Sequence, residues 1–490
     1  MKNLKQFGKL IAALFLLLLL IILVNTFRIS RKPTSDVAAL PAPPNLDAAA
    51  HRLAQAIRIP TVSYDTARPD SEGHFLELHK LLEISFPLTH ANLKKEVVAD
   101  YSLLYTWQGS DATLDPILLV AHMDVVPVEN TSEAKWSHPP FSGDIADGYI
   151  WGRGALDMKH VAMSVMEGVE NLLKSGFHPK RTILIGFGHD EEIGGHSGAE
   201  NIVVLLKQRN VHALYSLDEG SVVLNGFFPG ITRPIAQIGL SEKGSVSLQL
   251  TATAQGGHSS MPPPHTAVGK IAHAIVELEE HQMPATMEGP GGQGIEVLAP
   301  ELPLAMRAAV SNRWLFDPLI IAQLSKSSAV NALLRTTTAP TIVEGGVKEN
   351  VLPSQATAVV NFRLAPGDTV AMVKKHVVKT ISDNDIVVSD YHGPGVEATA
   401  VANRNGIGFT RISDAITKIY PDAVIVPGLV VGATDSRHYG EVSQAAYRFT
   451  PMTLSPSDVT RIHGIDERIS LDNYGKLITF YEELMRSSSD

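Results

Sequence analysis

The chain carries two textures of hydrophobic patterning. From about Leu46 to Gly239, short unbroken apolar runs alternate with stretches at helical spacing. ILLVAH (117–122), TILIGFG (182–188) and ALYSLD (213–218) read as buried strands. Between them, Ala155–Leu173 places Met158, Val161, Val165, Val169 and Leu172 on one helical face, and Gly198–Lys207 suits a second helix. Strands that are apolar throughout, separated by helices, predict a largely parallel sheet covered on both faces. After Glu242 the pattern changes. GSVSLQLTATAQ (244–255) and QATAVVNFRL (355–364) alternate apolar and polar residues, as half-exposed antiparallel strands do. Thr266–Glu280 and Val370–Ile381 read as helices and DIVVSDY (385–391) as another strand, which together make a small α+β layer. Ile407–Tyr420 and AVIVPGLVVGATDS (423–436) resume the first texture.

The fold class expected is therefore α/β. One domain, 46–241 and 399–490, carries a central, mostly parallel sheet, and an α+β domain over 242–398 is inserted into it. Residues 32–45, KPTSDVAALPAPPN, are rich in Pro and Ala and read as a linker. The first 31 residues stand apart. Lys2, Lys5 and Lys9 precede an unbroken apolar run from Leu10 to Val24, with Arg28, Arg31 and Lys32 beyond it. No small-x-small cleavage site follows, so an uncleaved N-terminal anchor is expected, with the body outside the cytoplasm; a removed signal peptide and a secreted protein are the alternative.

Composition narrows the chemistry. The chain has 490 residues, 19% of them charged, and a net charge of -10. The body has no basic run, which argues against a nucleic-acid partner. With no Cys, disulfides, thiolate metal sites and cysteine nucleophiles are excluded. What remains conspicuous is where acids and histidines fall. His122 closes ILLVAH, with Asp124 two residues on and able to face the same way. Asp157 sits in WGRGALDMK, Glu191 and Glu192 follow TILIGFGHD, Asp218 closes ALYSLD, and His463 lies in RIHGIDE. A rigid sheet delivers ligands to one cleft in this manner, from the ends of successive strands. Two histidines with several carboxylates suit zinc, cobalt or manganese used for hydrolysis. Because adjacent side chains diverge, Glu191 and Glu192 should not share one role. One can bind metal while the other handles protons.

HMDVVP, WGRGALDMK, DEEIGG, GGHSSMPP, ENVLPSQA and RIHGIDE, in that order, resemble the di-zinc aminoacylase and carboxypeptidase family, whose members include carboxypeptidase G, succinyl-diaminopimelate desuccinylase and aminoacylase. The likeness covers about 50–487. WSHPPFSG, GATDSRHY and the N-terminal apolar segment resemble the branch of carboxypeptidase S (the Gly-Xaa carboxypeptidase) and the N-fatty-acyl-amino-acid hydrolases. The resemblance implies a zinc-exopeptidase-like catalytic domain with the inserted domain as a lid used for dimerisation. It implies two zinc ions, one held by His122, Asp157 and Asp218, the other by Asp157, Glu192 and His463, with Asp157 bridging. Glu191 would be the general base and Asp124 would orient His122. His258 would steady an oxyanion, contributed in some dimeric relatives by the partner subunit. Asn350, Arg363 and Thr434 would contact substrate, Arg363 through a terminal carboxylate. The expected reaction is hydrolysis of the amide bond to a C-terminal amino acid in a small peptide. The alternatives are an N-fatty-acyl-amino-acid amidohydrolase or synthase, and a metal-dead relative that only binds peptide.

Overall fold

In the computed structural model, residues 2–29, 31, 38–64, 69–228 and 230–489 are described; residues 32–37 of the expected linker lie outside them. The chain forms two compact units, 1–31 with 241–401 and 429–432, and 32–240 with 402–428 and 433–490.

The larger unit is built on a mixed sheet. Its centre is parallel: Ile117–His122 lies between Ile183–Gly188 and Tyr215–Asp218, and Ala446–Arg448 continues the parallel order beyond Tyr215–Asp218. An antiparallel hairpin, Lys94–Val98 and Ser102–Trp107, extends the edge next to Ile183–Gly188. The period-2 geometry of a strand explains why these segments are apolar at every position. Ile117, Leu119, Ile183, Ile185 and Phe187 face a large core roofed by helices Lys159–Lys174, Ile407–Ile419 and Leu471–Ser488. Leu118, Val120 and Leu184 face the other way, onto helix Ala199–Gln208 and Tyr439. A strand buried on both faces needs no polar position until it ends, and these end at the sheet's C-terminal edge.

The helix expected from Ala155 begins at Lys159. The residues before it, 152–158, are taken up by a turn in which Gly152 and Gly154 have φ of +138° and +92°, a region L side chains rarely enter. This places Asp157 in the turn rather than on the helix.

The smaller unit carries a four-stranded antiparallel sheet in the order Thr337–Gly345, Gln355–Leu364, Gly244–Thr253, Ile386–Asp390. Val246, Leu248, Leu250, Val360 and Phe362 meet helices Ala267–Glu280 and Val370–Ile381 on one face. Both helices start on a threonine, Thr266 and Thr369, whose hydroxyl accepts an N–H of the first turn. Two further features belong to this unit. Short helices between Pro290 and Leu334 enclose their own small core of Met287, Ala299, Val310, Ile320 and Leu334. The N-terminal helix Lys2–Arg28 is long and apolar enough over Leu4–Arg28 to cross a membrane.

Candidate metal centre

Six groups, all but the exposed His463 buried or partly so, converge near the C-terminal ends of the parallel strands, and each arrives by a different local route. His122 is the last residue of its strand and almost wholly buried. Its Nδ1 faces Asp124, 3.0 Å from the backbone carbonyl and 3.2 Å from Oδ1. That leaves Nε2 to face outward, 3.0 Å from Asp157 Oδ1 and 3.3 Å from Glu219 Oε1. Asp124 is itself fixed: Ser63 donates to Oδ2 at 2.6 Å, and the backbone N–H groups of Glu191 and Glu192 donate to its two oxygens at 3.2 and 3.1 Å. One carboxylate thus orients the histidine and the turn bearing both glutamates. A histidine whose far nitrogen is tied to a carboxylate presents the other nitrogen as a stronger, correctly aimed ligand.

Asp157 faces two histidines at once, through Oδ1 to His122 and through Oδ2 to His463 Nε2 at 3.0 Å. His463 Nε2 also lies 3.1 Å from Glu192 Oε2. The turn that carries Asp157 is held from below by Glu467. This buried carboxylate accepts the backbone N–H groups of Gly154, Leu156 and Asp157 at 2.9, 2.7 and 3.2 Å. Its other oxygen takes Arg153, which also donates to the carbonyls of His463 and Gly464. Arg153 and Glu467 therefore fix Asp157 and His463 with respect to each other.

Among the described residues, three sets have ligand atoms within 4.8 Å of one another: His122, Asp157 and Glu219; His122, Glu191 and Glu192; Asp157, Glu192 and His463. Asp218, expected as a ligand, belongs to none of them, and the structure places its neighbour Glu219 there. Asp218 is the last residue of its strand and shares the side of Ser216, where burial and Asp218's charge push Asp435 well above the usual carboxylate range. Glu219 lies past the strand's end and swings to His122, while its N–H donates to Asp218 Oδ1 at 2.8 Å. The argument that separates Glu191 from Glu192 applies equally to the Asp218–Glu219 pair, and that was the available signal. Thr434, expected beside substrate, is buried, its hydroxyl accepting from the Ser436 N–H at 3.2 Å.

The remaining expected residues belong to the smaller unit and are exposed. His258 stands on a two-residue strand paired with Val351–Leu352. The Asn350 carbonyl accepts the N–H of Ser259 at 3.2 Å, so His258 and Asn350 share one corner. Arg363 projects from strand Gln355–Leu364.

The donor set suits two divalent cations. Burial lifts the Glu191 carboxyl well above its ordinary range, with Glu219 and Asp435 adding to the effect. Burial and the Asp157 charge push Glu219 up to about 8, and burial raises Glu192 as well. Glu192 Oε1 is buried with no hydrogen-bond partner. Carboxylates crowded together and desolvated in this way call for positive charge. Histidine nitrogens and carboxylate oxygens without sulfur are the donors of a hydrolytic zinc, cobalt or manganese site.

A family model described as Peptidase family M20/M25/M40 matches residues 118–487. The chain belongs to this family. It is 39% identical over 484 residues to a probable carboxypeptidase S-like 2 of Dictyostelium discoideum, covering 96% of this chain and 92% of that protein. It is 38% identical over 498 residues to the N-fatty-acyl-amino acid synthase/hydrolase PM20D1.1 of Danio rerio, covering 99% and 96%. Among solved structures, the M20 family metallo-carboxypeptidase Sso-CP2 of Sulfolobus solfataricus superposes with a TM-score of 0.63 at 18% identity, covering 89% of this chain and 98% of that one, which shows the shared fold. As an M20 member with relatives of both kinds, the chain is a metal-dependent hydrolase of the metallopeptidase and amidohydrolase type.

Proposed function

We propose that the enzyme hydrolyses the amide bond to a C-terminal amino acid, with two zinc ions as the resident metals. The observation that carries this reading is the Asp157 carboxylate, shared between His122 at one oxygen and His463 at the other. We assign one metal to His122, Asp157 and Glu219, in place of the Asp218 expected from the sequence, and the other to Asp157, Glu192 and His463. Bound there, the pair of ions supplies an acidified water and polarises the scissile carbonyl. Glu191 is not needed as a ligand on this assignment. Its carboxyl lies 4.0 Å from His122 Nε2 and is held protonatable by burial, which suits a group that takes a proton from water and returns it to the leaving amine. Asp124 keeps His122 in the tautomer that presents Nε2. From the smaller unit, His258 is assigned to the oxyanion, and Asn350 and Arg363 to the substrate's terminal carboxylate, a planar anion that a guanidinium grips with two parallel bonds.

The acyl side distinguishes dipeptides from long-chain N-acyl amino acids, and relatives of both kinds match nearly the whole chain. A substrate panel with zinc-loaded protein separates them: Gly-Leu-type dipeptides against N-oleoyl amino acids, each as free acid and as C-terminal amide. Turnover of the free acids and poor turnover of the amides is expected. Equal kcat/KM on acid and amide would remove the carboxylate assignment. Elemental analysis should find two zinc equivalents per chain, falling to one in Glu219→Ala and staying at two in Asp218→Asn; the reverse pattern would return the ligand role to Asp218. We further propose that the N-terminal segment is a retained anchor with the body outside the cytoplasm, against a cleaved signal and a secreted product, and that the inserted unit supports a homodimer.

A further inference from the structure

The apolar N-terminal helix does not stand free of the rest of its unit. Its last turns are tied to the helical segment between Pro290 and Leu334, a region the sequence pattern did not resolve. Asn25 Nδ2 donates to Asn312 Oδ1 at 2.9 Å, and Asn312 Nδ2 donates to the Ile22 carbonyl at 3.2 Å and to the Ala308 carbonyl at 2.9 Å. Asn312 and Thr26 are both buried. Arg307 donates to the carbonyl of Thr26 at 3.0 Å and also to that of Ile29. A helix C-terminus leaves carbonyls without partners, and here Arg307 satisfies those of Thr26 and Ile29, while Asn312 reaches one turn further back to Ile22. A segment destined for removal would leave a buried Asn and an Arg unmatched. The junction sits where the apolar run gives way to Asn25 and Thr26, the depth at which a spanning helix leaves hydrocarbon for headgroups.

The two helices flanking Asn312, Leu304–Ser311 and Arg313–Leu324, have an unusual outer surface. Their exposed residues are Leu304, Ala305 and Met306 on the first, after the exposed Pro303, and Trp314, Leu315, Pro318, Leu319, Ala322 and the uncharged Gln323 on the second. Leu304, Trp314 and Leu319 are 61%, 62% and 63% exposed. The apolar members of the second group fall at i, i+1, i+4, i+5 and i+8, one continuous stripe that Gln323 ends at i+9. These residues are surplus to the segment's own core, which Val310, Ile320 and Leu334 fill. Between Leu302 and Leu324 the charged residues are Arg307, Arg313 and Asp317. Arg307 is spent on the anchor, and Arg313 is paired with Asp317 at 2.9 Å and with Glu288 and Glu296. No charge is left facing out with the stripe.

We infer that the outer face of helices Leu304–Ser311 and Arg313–Leu324 lies in the bilayer interface at the exit of the N-terminal anchor. The occupant is lipid rather than protein because the helices that bear this face are tied, through Arg307 and Asn312, to the end of a bilayer-length helix in the same unit. Its composition, a tryptophan amid aliphatic residues and no free charge, is that of an interfacial segment. The inference rests on the anchor reading of residues 4–28, and spin labels in each region test the two separately.

The absence of cysteine makes any introduced thiol unique. Leu16→Cys in the anchor, Leu304→Cys and Leu319→Cys on the stripe, and Val378→Cys on the exposed side of helix Val370–Ile381 would each carry a nitroxide. The full chain would be held in phosphatidylcholine nanodiscs, and collision rates with oxygen and with a soluble nickel chelate compared by electron paramagnetic resonance. Residues 304 and 319 should favour oxygen over nickel, as residue 16 does, while residue 378 favours nickel. Nickel collision at 304 and 319 equal to that at 378 would overturn the inference. Loss of both collision rates would overturn it in favour of contact with a second protein copy. An aqueous reading at 16 would reject the anchor and the inference with it, whereas an apolar reading at 16 beside nickel collision at 304 and 319 would reject the inference alone.

Discussion

The two units hold their candidate residues in opposite ways. In the larger unit His122, Asp124, Asp157, Glu192 and Glu219 are desolvated and cross-linked through one another, each reached by a strand end or a turn whose backbone is itself hydrogen-bonded. In the smaller unit His258, Asn350 and Arg363 are exposed, His258 held by little more than Ser260 at 2.8 Å. A cluster built like the first is organised before substrate arrives, and its carboxylates, Glu192 and Glu219 raised by burial among them, are held in place for cations. Residues arranged like the second gain partners only when a ligand provides them. The same kind of substitution should therefore read out differently in the two: as lost metal or lost chemistry in the first, as lost substrate affinity with fold and metal intact in the second.

The sharpest break is expected at Glu191. Glu191→Gln should lower kcat by about 10²–10⁴-fold while zinc content stays at two, because on the proposed assignment a general base is lost and no ligand is. The amide is isosteric and removes a desolvated acid, so thermal stability should hold or rise. If zinc falls instead, Glu191 belongs with the ligands and Glu192 becomes the candidate base.

The exposed unit supplies the contrast. Arg363→Ala should reduce kcat/KM on free-acid substrates by about 10- to 150-fold, the worth of a charged hydrogen-bonded contact. It should leave amide substrates, zinc content and melting temperature unchanged. Equal losses on acid and amide would mean that Arg363 acts on the fold or the unit's strand pairing with Ser245 and Thr337, and would erase the distinction between the units.

Much of this architecture is legible along the chain, and the failures have physical reasons. Strands Ile117–His122 and Gln355–Leu364 and helix Val370–Ile381 follow directly from continuous or periodic apolar spacing. The hairpin Lys94–Trp107 carries little periodic signal, since its outer strand is half polar on both sides. The helices between Pro290 and Leu334 escape because apolar residues point outward as well as inward, so no single face stands out. Around the centre, residue types at strand ends are visible, but which of two adjacent acids turns inward depends on where the strand stops, as Asp218 and Glu219 show. Glu467 is invisible to linear reading: its role is to accept three backbone N–H groups more than 300 residues away, and nothing in its own neighbourhood announces that.

Glu467 gives the smallest and most discriminating of these tests. It touches no expected ligand side chain, yet it fixes the Asp157 turn from below, and Arg153 links it to the carbonyl of His463. Glu467→Gln keeps the volume but replaces one acceptor oxygen by a donor, which must face either Arg153 or the cluster of N–H groups. Burial already holds this carboxyl up at about 7, so loss of its charge alone is tolerable; loss of the acceptor geometry is not. Positioning partners of this kind typically contribute about 10–100-fold in metal affinity. The expected outcome is weaker retention of the metal at Asp157, Glu192 and His463 during chelator titration, with two zinc equivalents restored at high zinc and KM then unchanged. A variant that melts earlier but holds both metals as tightly as the parent would show Glu467 to be a fold residue only. A variant that loses both metals together would show that the Asp157 turn governs the whole centre, His122 included, and that the larger unit's cluster behaves as one unit rather than as two sites sharing a bridge.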